Sequence, residues 1–264
     1  MLSKIEDAKN IINEYKKVIV AFSGGVDSLY LLNLAVATLE KENILAVTVK
    51  SPLSTVGEAE NARYLSNNLG VEHIIIELDE LSEPQITSNP IDRCYHCKRF
   101  RYEHLVSLMD DKGYEAVLDG SNFSDLSDYR PGMRACEELG IISPLKQAEF
   151  TKDEIRQQLK NLGTVGWDTP SRACLASRIP YGDELTKDKL AKVDNSERFL
   201  MSLGFNDMRV RYHGDVARIE LPKKDMNTIF EKNLTEVITK ELKKYGFKFI
   251  TLDLEGLRSG SLNP

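Results

Sequence analysis

The chain has 264 residues, of which 41% are hydrophobic and 29% charged, and its net charge is −6. This length fits one large domain or two modest ones, and the composition is that of an ordinary globular protein. We expect a cytoplasmic protein without a membrane or nucleic-acid partner, because no apolar run has the length of a membrane span, the amino terminus lacks a signal-peptide core and the balance of charge is acidic.

The first half of the sequence alternates predicted strands with predicted helices. Apolar runs predict strands at Val18–Phe22, Ile44–Val49, Val71–Leu78 and Ala116–Asp119, and helical patterns lie between them at Ser28–Glu40, Thr55–Leu69 and Tyr95–Lys112. Strands spaced by helices of this length indicate parallel βαβ units. We therefore expect an α/β fold whose parallel sheet binds its ligand at the carboxyl ends of the strands.

A Ser-Gly-Gly-Val-Asp-Ser hexapeptide joins the first strand to the first of these helices. A strand that turns into a helix in this way presents free N–H groups and the positive end of the helix dipole to an anion. Gly24 and Gly25 allow the backbone to approach a phosphate, and Ser23 and Ser28 offer hydroxyl groups. The motif lacks a Walker A lysine, so it predicts a different kind of phosphate site. The simpler interpretation is a glycine turn into a helix.

Further polar residues are expected around this loop. Asp27 is placed to bind Mg²⁺ beside phosphate oxygens, although an acid in a first helical turn is also favoured by the helix dipole alone. At the end of the fourth predicted strand, Asp119, Ser121 and Asn122 are expected to complete a nucleotide site, and Asp128 and Arg130 lie in a loop expected to order over ATP.

The order of elements changes in the second half of the sequence. A capping pattern at Thr151–Glu154 opens a helix to about Leu162, and the Gly-, Thr- and Pro-rich segment Gly163–Pro170 is typical of a linker. After it the patterns predict a helix at Thr186–Leu203, a hairpin of Met208–His213 with Val216–Leu221, helices within Lys223–Tyr245 and a strand at Phe247–Leu252. We predict one domain over residues 1–165 and a smaller α+β domain over residues 166–264.

Three of the four cysteines occur in patterns that favour chemistry over a disulfide framework. Cys94 and Cys97 form a CxxC at the start of a helix, which suits a redox pair, half a zinc site or an iron–sulfur anchor. Cys174 lies near Arg172 and Arg178, which would stabilise a thiolate, while the alternative is a small buried side chain. Together the three suit a 4Fe-4S cluster with one open iron, or Cys174 attacks an adenylate and gives up its own sulfur. Cys136, on a helical pattern, is interpreted as structural.

The hexapeptide resembles the pyrophosphate loop of the PP-loop ATPases, which split ATP between the α and β phosphates and adenylate a substrate oxygen. Together with other motifs it gives a more specific resemblance, from about Val18 to Gly260, to the LarE family of ATP-dependent sulfur transferases, which make the nickel-pincer nucleotide cofactor of lactate racemase. The other motifs are LDGSN at Leu118–Asn122, DYRPG at Asp128–Gly132, SRIPYG at Ser177–Gly182, RVRYH at Arg209–His213, ARIELP at Ala217–Pro222 and TLDLEGLRSG at Thr251–Gly260.

The resemblance implies a parallel-sheet PP-loop domain of the adenine nucleotide α-hydrolase type with a smaller carboxyl-terminal domain, assembled as a homo-oligomer, trimer or hexamer. It also implies that ATP with Mg²⁺ adenylates pyridinium-3,5-biscarboxylic acid mononucleotide, and that sulfur then displaces AMP to leave a thiocarboxylate. In sacrificial members a cysteine at the position of Cys174 becomes dehydroalanine, and positions 94 and 97 are not cysteine. This chain therefore resembles the cluster-bearing members, with Cys94, Cys97 and Cys174 holding 4Fe-4S and sulfide or another donor supplying sulfur.

Substrate binding is also implied by the resemblance. Ser177, Arg178, Arg209 and Arg258 match family positions at the substrate phosphate, and arginine suits that task through two parallel hydrogen bonds. Surface ion pairing explains the arginines equally well. Glu197 and Glu220 are candidates for a further metal ion or simply form a charged face.

Several other functions remain open from the sequence. They are tRNA thiolation, which needs a basic surface that the net charge disfavours, amide formation from ammonia, which needs no thiols, and a nucleotide-binding sensor without catalysis. A zinc-stabilised structural site is the non-catalytic alternative for the cysteines.

Overall fold

The computed structural model of the chain describes residues 1–127, 131–167, 173–258 and 260–262. The chain divides into two compact units. The first comprises Met1–Ser51, Val56–Glu80 and Asp92–Arg172, and the second comprises Pro52–Thr55, Leu81–Ile91 and Ala173–Pro264. The two short segments of the second unit, 52–55 and 81–91, come from the half of the sequence assigned to the first predicted domain. The domain division at residue 165 stays a prediction.

The secondary structure follows the predicted alternation. The strands are β1 (Val18–Ala21), β2 (Ile44–Lys50), β3 (Glu72–Glu77), β4 (Ala116–Leu118), β5 (Arg209–His213), β6 (Val216–Glu220) and β7 (Phe249–Leu252). The α-helices are α1 (Leu2–Asn13), α2 (Val26–Val36), α3 (Glu58–Leu69), α4 (Pro84–Thr87), α5 (Arg93–Lys112), α6 (Gly132–Glu138), α7 (Pro144–Gln147), α8 (Lys152–Asn161), α9 (Lys187–Ser202), α10 (Lys223–Glu231) and α11 (Thr235–Lys244). Short 3₁₀ helices lie at Lys41–Asn43, Glu80–Ser82, Phe123–Ser127 and Leu175–Arg178. Among the described residues, no helix is both long and apolar enough to cross a membrane.

The sheet of the first unit has the strand order β3-β2-β1-β4, and every neighbouring pair is parallel. Alternate residues of β1 enter different cores: Val18 and Val20 pack with α1, α2 and α8, whereas Ile19 packs with α5. A strand covered by helices on both faces is apolar throughout, which explains the unbroken apolar run in the sequence. The predicted α/β fold with a parallel sheet is confirmed.

The second unit contains a small mixed sheet in the order β5-β6-β7. β5 and β6 form the predicted antiparallel hairpin, and Gly214 adopts a φ of 62° at its turn, where a residue without Cβ is favoured. β7 joins β6 in parallel. Leu200 of α9, Ile229 of α10 and Leu242 of α11 pack in the core of this unit. The predicted smaller α+β region is confirmed.

Candidate active site

The predicted phosphate loop follows β1 and leads directly into α2. Gly24 has a φ of +73°, and a Cβ there would lie 3.3 Å from the Cα of Ala62 in α3. Gly25 is the N-cap of α2, and no side chain caps the helix. The N–H groups of the first turn are therefore available to an anion, and the sharp turn that presents them requires glycine.

Two hydroxyl groups converge on this loop. Ser23 Oγ and Ser28 Oγ are 3.2 Å apart, and Ser28 Oγ donates to the carbonyl of Gly25 over 3.0 Å. The first turn of α2 also carries Asp27, whose Oδ2 lies 4.0 Å from Nζ of Lys152. Lys152 is the first residue of α8, and sequence reasoning missed it because 125 residues separate it from Asp27. It places a cation beside a phosphate loop that has no lysine of its own.

The loop after β4 lies directly against the first turn of α2. A Cβ on Gly120 would be 2.8 Å from the backbone nitrogen of Ser28 and 3.0 Å from the carbonyl carbon of Asp27. These are backbone atoms and cannot move aside as a flexible side chain would. Gly120 is thus required for the close approach of this loop to α2. The glycine of the LDGSN motif is the sequence signal for that approach.

Asp119 is a buried hydrogen-bonding centre at the end of β4. Its carboxylate accepts hydrogen bonds from Lys98 Nζ at 3.1 Å, Ser121 Oγ at 2.6 Å and Ser143 Oγ at 2.5 Å. Burial raises the pKa of Asp119, but the charge of Lys98 and these hydrogen bonds outweigh it and leave the pKa below its usual value. Asp119 is therefore charged and fully engaged, so it positions Ser121 at the end of the strand.

Asn122 is completely buried, and neither its Oδ1 nor its Nδ2 has a hydrogen-bond partner among the described residues. A buried amide without partners is uncommon in a folded protein. This observation suits the predicted nucleotide-binding role of Asn122 without testing it. Asp128 and Arg130, predicted to lie over ATP, and Arg172, near Cys174, fall outside the described residues.

The CxxC pair lies in the first turn of α5. Cys94 is exposed, Cys97 is partly exposed, and neither forms a disulfide. Residues three apart on a helix share a face, so the two thiols are neighbours. Nη2 of Arg93 is 3.9 Å from Sγ of Cys94. Cys136 is buried, as its structural interpretation predicts, and burial together with the charge of Asp119 raises its pKa to about 11.

The third cysteine of the predicted set, Cys174, belongs to the second unit, where it is partly exposed and precedes a 3₁₀ turn. Arg178 ends that turn with only 1% of its surface exposed. Its Nε and Nη2 donate to Oε1 and Oε2 of Glu197 over 2.9 and 3.0 Å. Its Nη1 donates to the carbonyls of Ala173 at 2.6 Å and Cys174 at 3.0 Å. Arg178 thus connects a buried carboxylate to the backbone that carries the thiol.

A second buried ion pair lies beside the first. Arg211 donates through Nε and Nη2 to Oε2 of Glu220 over 3.0 and 2.8 Å, and through Nη1 to the carbonyl of Ser177 over 2.8 Å. Burial raises the pKa of Glu220, but hydrogen bonds from Arg211 and Ser261 and nearby cationic charges keep it below its usual value. Glu197 and Glu220 therefore bind arginine in this structure, and their predicted metal role stays a prediction.

The remaining predicted substrate residues have local partners. Arg209 donates from Nη1 to the carbonyl of Met208 over 2.6 Å, and burial and the charge of Arg178 lower its pKa. Arg258 pairs with Asp253 at 3.2 Å and with Glu255 at 2.7 Å. Their contact with a substrate phosphate stays a prediction.

No group of three or more His, Cys, Asp or Glu side chains is arranged to hold a metal ion within the segments that the structure describes. Cys94 and Cys97 lie in the first unit and Cys174 in the second. Two neighbouring thiols on one helical turn are donors of the kind that an iron–sulfur cluster uses. The three-cysteine ligand set stays a prediction.

Comparison with known proteins identifies the family. Residues 5–98 match the NAD synthase family model. The chain is 39% identical to an uncharacterized protein of Synechocystis, over 99% of this chain and 97% of that protein. It is also 33% identical to an uncharacterized protein of Methanocaldococcus jannaschii, over 98% of each.

A third relative carries a functional name. The chain is 39% identical to the pyridinium-3,5-bisthiocarboxylic acid mononucleotide synthase of Lactiplantibacillus plantarum, over 96% of this chain and 91% of that enzyme. The likeness extends over both units and is not confined to the phosphate loop. The chain therefore belongs to the LarE family, the family of this synthase, as its motifs predict.

Proposed function

We propose that the chain is an ATP-dependent sulfur transferase that adenylates the carboxylates of pyridinium-3,5-biscarboxylic acid mononucleotide and converts them to thiocarboxylates, with release of pyrophosphate and AMP. The observation that carries the proposal is the 39% identity, over nearly the whole chain, to a synthase named for the bisthiocarboxylic acid product. The glycine-rich loop before α2 and the cysteines of α5 would supply the two kinds of chemistry that this conversion needs, ATP binding and sulfur transfer.

The first step is adenylation. A substrate carboxylate oxygen attacks the α-phosphorus of ATP, and the bond to the β-phosphate oxygen breaks to release pyrophosphate. The amides at the start of α2, the hydroxyls of Ser23 and Ser28 and the ammonium of Lys152 would stabilise the negative charge on the phosphates. Asp27 is partly exposed, and its carboxylate would help to hold Mg²⁺ beside the phosphates. When bound, Mg²⁺ neutralises phosphate charge. We assign Asp119, Ser121, Asn122, Asp128 and Arg130 to the nucleotide site.

The second step is sulfur transfer. A sulfur nucleophile attacks the acyl carbon of the adenylate, the carbon–oxygen bond to AMP breaks, and a thiocarboxylate remains. We propose that Cys94, Cys97 and Cys174 hold a 4Fe-4S cluster. When bound, the cluster would supply a site for an added sulfide, so that no cysteine of the chain loses its own sulfur. The two neighbouring cysteines of α5, neither of them in a disulfide, support this source. Alternatively, Cys174 gives up its own sulfur and becomes dehydroalanine.

We assign the substrate phosphate to Ser177, Arg209 and Arg258, all of the second unit. The side chain of Arg258 is 37% exposed, which supports its choice, whereas Arg178 is buried. The proposal includes a cytoplasmic location and a homo-oligomeric assembly, trimer or hexamer, as in the family that the chain resembles. Light scattering of the purified protein checks the assembly.

Anaerobic turnover with the substrate, ATP, Mg²⁺ and sulfide tests the proposal. We expect pyrophosphate release that depends on the substrate, and several thiocarboxylates per chain. At most one product per chain, with dehydroalanine at Cys174 by mass spectrometry, would establish the sacrificial route. No substrate-dependent pyrophosphate release would refute the function itself. Iron and sulfide assay of anaerobically reconstituted protein, with zinc measured alongside, tests the cluster separately.

An amide-forming ligase is the second candidate. Residues 5–98 match the NAD synthase family model. This match favours a ligase, because one matching relative is named an NH3-dependent NAD(+) synthetase. Ammonia would then take the place of sulfide as the nucleophile. Supplying ammonium without sulfide distinguishes the two, since only a ligase forms an amide product under that condition.

A further inference from the structure

We propose that Arg178 and Arg211 are positioning residues that fix the backbone of the Cys174 loop for sulfur transfer, and that they do not bind the substrate phosphate. The Cys174 loop is defined as residues 173–178. The inference rests on the proposed function, because it concerns the placement of the thiol in that reaction.

Every nitrogen of the Arg178 guanidinium already donates a hydrogen bond within the protein. Nε and Nη2 are directed at Glu197, and Nη1 is directed at the carbonyls of Ala173 and Cys174 and at the Ser177 hydroxyl, 2.9 Å away. Oε1 of Glu197 also accepts from the backbone nitrogen of Val210 over 3.0 Å. A phosphate could reach Arg178 only by breaking this buried network, which would leave a charge without its partner.

Arg211, on β5, joins a buried carboxylate to the loop in the same way as Arg178. It holds Glu220 with one edge of its guanidinium and the carbonyl of Ser177 with Nη1. Oε1 of Glu220, which Arg211 does not use, accepts from Ser261 Oγ over 2.6 Å and from Arg218 over 3.0 Å. Both ends of the loop are thus attached through arginine to buried carboxylates.

The loop is fixed on a further side by main-chain bonding. The nitrogen of Leu175 donates to the carbonyl of Leu53 over 2.9 Å, and both residues are buried. Ser177 Oγ closes the turn by donating to the carbonyl of Cys174 over 2.8 Å. The backbone around Cys174 is therefore held while the residue itself stays partly exposed. Misplacing a reacting group by about 1 Å costs on the order of 100-fold in rate, so such an arrangement has a direct catalytic consequence.

The chemistry of arginine separates positioning from phosphate binding. Lysine can bind a phosphate as a point charge, but it lacks the planar fork that reaches a carboxylate and two carbonyls at once. Arg178→Lys and Arg211→Lys are therefore expected to slow thiocarboxylate formation if the residues position the loop, and to raise the KM for the substrate if they bind its phosphate. Arg198→Lys is the matched control, because Arg198 is exposed and is adjacent to Glu197 on α9.

The experiment compares full-length wild type, R178K, R211K and R198K. Substrate-dependent pyrophosphate release and thiocarboxylate formation are measured with the pyridinium biscarboxylate mononucleotide. We expect R178K and R211K to keep pyrophosphate release and the KM for the substrate within about twofold, and to lose roughly 100-fold in thiocarboxylate formation. R198K is expected to match wild type. A raised KM with unchanged kcat in R178K or R211K would overturn the inference.

A second measurement needs no substrate. Iodoacetamide labelling followed by mass spectrometry gives the alkylation rates of Cys174 and Cys94 in each variant. We expect R178K and R211K to change the rate at Cys174 at least fivefold, in line with a displaced thiol, and to leave Cys94 unchanged. Equal rates at Cys174 in all variants overturn the inference. If the wild type adenylates no substrate, the proposed function fails while this labelling result still judges the placement of the loop.

Ser261→Ala keeps the test decisive if the lysine variants do not fold. It removes the hydroxyl that donates to Glu220 over 2.6 Å and accepts from Arg218 over 3.4 Å, and it removes no member of the Arg178–Glu197 and Arg211–Glu220 pairs. Slower thiocarboxylate formation with unchanged pyrophosphate release supports the inference. Unchanged thiocarboxylate formation with unchanged labelling of Cys174 contradicts it.

Discussion

Lys98 donates from Nζ to the buried carboxylate of Asp119 over 3.1 Å, and this contact joins the turn that carries Cys97 to the end of β4. Gly120, the next residue after Asp119, touches the first turn of α2. The phosphate loop and the CxxC turn are therefore connected within one unit through a lysine, a carboxylate and a glycine. The helix turn that carries the CxxC pair is thus attached to the carboxyl end of β4, where the nucleotide site is proposed.

Lys98→Met is expected to destabilise the fold, because it leaves the Asp119 carboxylate buried without its cation. Removing one partner of a buried ion pair lowers the free energy of unfolding by roughly 3 kcal/mol. Urea unfolding of both proteins measures the difference. Lys98→Arg is the control that keeps the charge. The double variant Lys98→Met with Asp119→Asn should recover part of the loss. Equal stability of wild type and Lys98→Met would show that the pair contributes nothing.

Strands, helices and turns that depend on a few neighbouring residues are predictable from the sequence. The apolar run of β1 and the turn at Gly214 were found because burial and turn chemistry leave a pattern over a few neighbouring residues. The start of α2 was predicted at Ser28 and lies at Val26, because Gly25, in extended conformation, is the N-cap. The helices predicted within Lys223–Tyr245 are α10 and α11, and they are separated where Asn233 adopts a φ of 52°.

The contacts that assemble the candidate site were not predictable in the same way. Lys98 and Asp119 are 21 residues apart, and Arg211 and Ser177 are 34 apart. Such pairs depend on how crossovers bring strand ends together, and a single sequence carries no periodicity for them. The resemblance predicts a substrate-phosphate role for Arg178, and the sequence gives no sign that its guanidinium binds the buried carboxylate of Glu197.

The stability of the fold is expected to fall in acid because of His73. Burial, and then the charge of Arg63, lower the pKa of His73 to about 4. Its Nε2 is 2.8 Å from Thr48 Oγ1, which itself donates to the carbonyl of Phe22 beside the phosphate loop. The folded state thus favours neutral His73, and the unfolded state takes up the proton first. Stability is full above the unfolded value of about 6.5 and falls between there and about pH 4, by up to roughly 3 kcal/mol.

Unfolding free energies measured by urea between pH 7 and about pH 4 check this expectation. His73→Gln keeps a polar side chain but cannot titrate, so it should flatten the slope over that interval. The three other histidines of the chain are retained in that variant and serve as the internal control. An unchanged slope in His73→Gln would assign the acid sensitivity to other groups.

Gly120→Ala is expected to impair ATP use, because its Cβ would lie 2.8 Å from the backbone nitrogen of Ser28. The first turn of α2 must shift to admit it, and the phosphate-facing amides shift with that turn. We expect substrate-dependent pyrophosphate release to fall by at least tenfold, measured by a coupled phosphate assay after pyrophosphatase treatment.

Gly140→Ala provides the contrast for this prediction. Gly140 has a φ of +67° and no atom within 4 Å of an added Cβ, so alanine there strains the backbone without contacting the site. It should cost roughly 1 kcal/mol of stability and leave pyrophosphate release near wild type. Equal losses of activity in the two variants would mean that Gly120 acts only through stability.

Lys152→Gln is expected to weaken the adenylation step. Its ammonium lies 4.0 Å from the carboxylate of Asp27 in the first turn of α2, where the phosphates of ATP would add further negative charge. Removing the cation raises the KM for ATP or lowers the rate of pyrophosphate release by roughly tenfold, the effect of about 1.4 kcal/mol. Lys152→Arg retains the charge and should keep most of the activity, whereas Lys160→Gln, on the same helix, should have little effect. If Lys152→Gln releases pyrophosphate as fast as wild type at low ATP, this lysine serves only to balance Asp27.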